Sequence, residues 1–119
     1  GLICDSGPSG NFLRSAWNLA IRVKSQPILL GFFALLWSFG LHNELRYQLR
    51  KFPSQFPILS IMGGKDEIIP PWHIEKVFKP LTSHLKIHFS IFAKAGHLNA
   101  LKSSPEEYRK ILKEFLDTI

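Results

Sequence analysis

The chain has 119 residues, 45% hydrophobic and 20% charged, with ten Phe and three Trp. That length fits one domain or part of one, and the composition excludes a disordered or low-complexity segment. The net charge of +6 is scattered, without basic runs interleaved with aromatics, so nucleic-acid binding is not expected.

The single cysteine, Cys4, rules out an internal disulfide. It sits in an apolar run and reads as a small buried hydrophobe. The count fits a reducing compartment, with the cytoplasm as the default location. The numbering opens on Gly1 and the only methionine is Met62, so further sequence is expected upstream. No basic segment followed by an apolar core opens the chain. The most apolar stretch, residues 28–41, has 14 residues. A membrane-spanning helix needs about 20, so a buried or interfacial helix is expected there.

Leu2, Ile3 and Cys4 form a short apolar run ahead of a turn cluster at residues 5–11, which predicts a buried strand and a loop. Phe12, Leu13, Ala16, Trp17, Ala20 and Ile21 recur at helical spacing, with Arg14, Asn18 and Arg22 opposite. This predicts an amphipathic helix. Pro27 breaks the chain, and residues 28–39 are apolar on all sides. Residues 42–52 read as a further, basic helix. Residues 57–62 are a continuous apolar run between turn signals, the pattern of a parallel strand covered on both faces. Pro70 and Pro71 open a helix to about Lys79. Leu85, Ile87, Phe89 and Ile91 alternate with Lys86, His88 and Ser90, which predicts a strand with one wet face. Near the end, Ser104, Pro105 and Glu107 carry the signature of a capping box, followed by a stripe of Tyr108, Ile111, Leu112, Phe115, Leu116 and Ile119.

Strands alternating with helices predict α/β architecture around a parallel sheet. Sites in such sheets form at the carboxyl ends of the strands. Three loops leave those ends, at residues 5–11, 63–71 and 93–99. Asp66 lies in the second and His97 in the third. A neutral imidazole is poised as a base near pH 7, and it needs a carboxylate to set its tautomer and stabilise its cation. Asp66 and His97 are the candidate pair, with Glu67 a rival acid beside Asp66. His42, His73, His84 and His88 have no such context and read as surface or packing residues. No metal site or phosphate loop is evident, and no cofactor is expected.

The segment Gly63-Gly64-Lys65-Asp66-Glu67-Ile68-Ile69-Pro70-Pro71 resembles the α/β-hydrolase segment that carries the triad acid. Ala95-Gly96-His97-Leu98 resembles that family's Gly-His segment, which carries the triad base. The resemblance implies the C-terminal part of an α/β-hydrolase fold. Residues 1–10 would be a strand and loop, residues 11–56 a helical cap or lid, and residues 57–119 a β-α-β-α unit with the acid and the histidine. The family's nucleophile motif, Gly-x-Ser-x-Gly, is absent from the chain. Its nearest approach, Gly7-Pro8-Ser9-Gly10-Asn11, has Asn11 where the second glycine belongs, and it reads as an ordinary turn.

The expected function is therefore part of a serine hydrolase acting on ester, thioester or amide bonds, with its nucleophile upstream and this segment inactive alone. The expected partner is a small-molecule acyl substrate. Phe32, Phe33, Leu36, Trp37 and Phe39 would line an acyl pocket or touch a membrane surface. The alternative is a non-catalytic module of the same fold, docking protein or lipid through its apolar helix. The sequence leaves the oligomeric state open.

Overall fold

The computed structural model describes residues 1–10, 12–22, 31, 35 and 45–119. Three parallel strands, β1 (Leu2–Asp5), β2 (Pro57–Gly63) and β3 (Lys86–Phe92), form one sheet in the order β1-β2-β3. The helices are α1 (Phe12–Arg22), α2 (Pro71–Phe78), the short α3 (Ala100–Ser103) and α4 (Pro105–Leu116). A 3-10 turn, Lys79–Leu81, extends α2, and residues 45–50 are helical. Among the described residues, no helix is long and apolar enough to cross a membrane. Most of the apolar stretch 28–41, and with it the expected acyl-pocket or membrane-facing side chains, lies outside the described residues.

The continuous apolar run of β2 is explained by its central place. It pairs with β1 on one side and β3 on the other, and helices cover both its faces. Side chains alternate across a strand. Ile58 and Met62 therefore meet Ile74, Val77, Phe78, Leu81 and Leu85 on the α2 side, joined by Leu49. Leu59 and Ile61 meet Phe92, Ala95, Ala100 and Phe115 on the other. Burying each large aliphatic side chain contributes about 1.5–3 kcal/mol, so this strand anchors both cores.

Three local expectations are corrected. Where its side chains are described, the apolar stripe of α1 does not form a buried face: Trp17 is 46% exposed and Ile21 57%, while Ser15 is buried. On its polar side, Asn18 and Arg22 contact the loop after β2, as described below. In β3, Phe89 and Ile91 are exposed although their spacing suggested a buried face, because β3 is an edge of the described sheet. The capping box before α4 does not form. The Ser104 amide donates to the Ala100 carbonyl, closing α3, and is thus already used when Glu107 would need it.

Candidate functional site

Strand register brings the site together. Gly63, the last residue of β2, pairs with Phe92, the last of β3, so the two strands end level. Two short loops then leave side by side, and the Gly64 and Lys65 amides donate to the carbonyls of Phe92 and Ala95. Asp66 lies three residues past one strand end and His97 five past the other. They meet: His97 Nδ1 is 2.8 Å from Asp66 Oδ2.

Asp66 is held rigidly for this. Its side chain is fully buried, while that of His97 is 26% exposed. Oδ1 accepts the backbone N–H groups of Ile68 at 2.9 Å and Ile69 at 2.8 Å, leaving Oδ2 aimed at the ring. Charge-assisted bonds from backbone amides are strong and directional. An ionised carboxylate only accepts, so Nδ1 carries the proton and Nε2 becomes the basic nitrogen of the neutral ring. The more exposed imidazole is thus the one a substrate could reach.

Glu67 plays a different part from its neighbour. It forms an ion pair with Arg22 at the end of α1. Asn18, one turn earlier, donates to the Glu67 carbonyl at 2.7 Å, with a longer contact of 3.4 Å to the Ile68 carbonyl. The polar side of α1 therefore lies over the acid loop and braces it. An open groove of about 480 Å³ runs between them, lined by Arg14, Asn18, Lys65, Asp66, Glu67 and Trp72 among others.

Ser9 is engaged elsewhere. Its hydroxyl lies 2.7 Å from that of Ser15, which is 3.2 Å from Nδ1 of His73. His73 is buried on α2, as a packing histidine would be. Desolvation lowers its pKa, helped by the positive charges of Arg14 and Lys76. His84 bonds the Phe52 carbonyl through Nε2, and His88 is exposed. Burial raises the pKa of the Cys4 thiol, which keeps it protonated and unreactive. Among the described residues, no group of three His, Cys, Asp or Glu could hold a metal ion.

Sequence reasoning missed Ser6, Asp5 and Tyr108. Ser6 takes a positive φ of 56° directly after β1, and its hydroxyl accepts the N–H of Leu98, the residue after His97, at 3.0 Å. The same hydroxyl donates to Asp5, which also accepts the phenol of Tyr108. The turn cluster at a strand end marked this loop, but no local pattern distinguished Ser6 within it.

No protein-family model matches the chain, and no curated protein matches it. Among solved structures, an esterase of Pyrococcus furiosus superposes on 98% of this chain with a TM-score of 0.72 and 19% sequence identity. The match takes in 44% of the esterase, so the chain spans less than half its length. The likeness is one of fold: this chain shares the α/β architecture of the matched portion of that enzyme.

Proposed function

We propose that this chain carries the acid and base of a serine hydrolase of the α/β-hydrolase type, cleaving an ester, thioester or amide by acyl transfer. The carrying observation is the 2.8 Å contact between His97 Nδ1 and Asp66 Oδ2, at the carboxyl ends of adjacent parallel strands. The fold likeness to an esterase supports the same reading.

In this reading Asp66 orients the imidazole and stabilises its cation. Nε2 of His97 takes the proton of a serine hydroxyl as that oxygen bonds to the acyl carbon. The imidazolium then gives the proton to the departing alcohol, thiol or amine. Water, deprotonated by the same nitrogen, releases the acid and regenerates the serine. The nucleophile and the oxyanion donors come from outside this segment, which carries no Gly-x-Ser-x-Gly. The cap over the acyl group is assigned to residues 11–56, much of which lies outside the described residues.

A fluorophosphonate probe applied to the full-length protein tests the proposal. Labelling is expected for the wild type and lost in His97→Ala. In Asp66→Asn the turnover of a p-nitrophenyl ester is expected to fall by up to ~10⁴-fold, because the wrong tautomer then faces the nucleophile. A folded full-length protein that takes no label would exclude the hydrolase reading. Attention would then turn to the module alternative and to Phe33 and Trp37.

A further inference from the structure

The turn after β1 holds a serine in a conformation that disfavours it. At a φ of +56° Ser6 occupies the left-handed region, where glycine costs least. The residue is 3% exposed. Its own N–H continues the ladder of β1 by bonding the Ile61 carbonyl at 2.9 Å, and the chain then turns so that the side chain faces the loop of His97. There the Oγ atom accepts the Leu98 N–H at 3.0 Å, while its proton goes to Asp5 Oδ1 at 3.1 Å. The other carboxylate oxygen of Asp5 accepts the Tyr108 phenol at 3.0 Å. Tyr108 is anchored in turn against Phe92, with ring centroids 5.9 Å apart. Burial and the hydrogen bond to Asp5 raise the pKa of its phenol, so it remains a donor.

A chain of side-chain bonds thus runs from α4 through the end of β1 to the backbone beside the imidazole. Leu98 also has a positive φ, 52°, so the loop turns sharply just where Ser6 grips it. Asp66 holds the ring from one side, and this chain holds the backbone from the other. We propose that Ser6 is a positioning residue for His97: its hydroxyl, aimed by Asp5, clamps the Leu98 N–H and so fixes the imidazole against Asp66. The proposal rests on His97 being the catalytic base. Ser6 acts as a clamp and not as the nucleophile, because its proton is given to Asp5 and its lone pair to the Leu98 amide.

The test uses Ser6→Gly and Ser6→Ala in the full-length protein. Glycine removes the hydroxyl without the left-handed strain that alanine carries at this φ, so it is the variant that separates the lost bond from lost folding. Two quantities are measured: p-nitrophenyl ester turnover, and the proton NMR signal of the His97 Nδ1–H bonded to Asp66. Ser6→Gly is expected to lower kcat about 10- to 100-fold with KM nearly unchanged, as small misplacements of a catalytic group do. The Nδ1–H signal is expected to broaden or vanish while the thermal melt stays cooperative. Wild-type kcat and a sharp Nδ1–H signal in Ser6→Gly, with Asp66→Asn still impaired, would overturn the clamp and leave the hydrolase reading standing. If Asp66→Asn and His97→Ala retain full turnover, the catalytic reading fails on its own. The positioning role in catalysis falls with it, and the Nδ1–H signal of Ser6→Gly decides only whether Ser6 fixes the imidazole against Asp66, its survival overturning that contact too. A fluorophosphonate adduct mapped to Ser6 would also overturn the proposal, by making that serine the nucleophile.

Discussion

Gly63 and Gly96 approach so closely that a methyl group on Gly63 would lie 2.5 Å from the Gly96 carbonyl oxygen and 2.7 Å from that of Ala95. The end of β2 and the loop carrying His97 are therefore in backbone contact, and the gap admits no side chain. Gly63→Ala must push the two loops apart. Overpacking of this kind costs about 1–3 kcal/mol. The displaced loop also carries His97 away from Asp66. Chemical denaturation should show the lost stability, and ester turnover should fall more than tenfold, since positioning errors near 1 Å can cost about 10²-fold. Wild-type turnover in Gly63→Ala would show that the loops have slack which the geometry denies them.

Asp66 and Glu67 are neighbours with different fates. Asp66 is buried on His97, and Glu67 is exposed and paired with Arg22. Exposed ion pairs contribute about 0–1 kcal/mol. Glu67→Gln should leave both stability and turnover within about twofold of wild type, whereas Asp66→Asn should abolish most turnover. Kinetics of the two variants side by side give the check, and a severe defect in Glu67→Gln would reassign the acid.

The buried His73 predicts a pH dependence of stability. Its ordinary pKa is 6.5, and in the fold the value is lowered by desolvation and by Arg14 and Lys76. Between the folded and unfolded values the unfolded chain binds the extra proton, so stability rises with pH across that window. The contribution is complete above about 6.5 and is lost as the pH falls toward the lowered value. Urea denaturation at about pH 5 and about pH 7.5 should therefore show a smaller pH effect in His73→Gln than in the wild type. An unchanged difference would mean that His73 is not desolvated.

Ser60 is fully buried in the middle of β2, and among the described residues its hydroxyl has no hydrogen-bond partner. Leaving a buried polar group unsatisfied costs about 1–3 kcal/mol. Ser60→Ala deletes that group and leaves little space behind, so it should hold stability level or raise it by about 1 kcal/mol. A thermal melt measures this, and a clear loss of stability would reveal a partner for the hydroxyl.

Taken element by element, much of this protein is written in local pattern. The apolar run from Pro57 is recognisable as a covered parallel strand because burial on both faces requires every side chain to be apolar. Pro71 and Pro105 mark helix starts because proline suits a first helical position, where its missing N–H has no intrahelical partner. Asp66 and His97 are visible because each follows a strand end in a short glycine-bearing loop. The structure brings these two together across a sequence separation of 31 residues.

What the sequence by itself determined is the order of the elements, the strand that anchors both cores, and the two side chains that face each other in the site. Those follow from periodicity and turn chemistry, which act over a few residues. Only the tertiary structure decided that Glu67 turns away to pair with Arg22, that Ser6 grips the backbone 92 residues away at Leu98, and that α1 contacts the acid loop through Asn18. Such choices depend on strand register and on directional hydrogen bonds between distant segments. A residue's local neighbours along the chain hold no record of either.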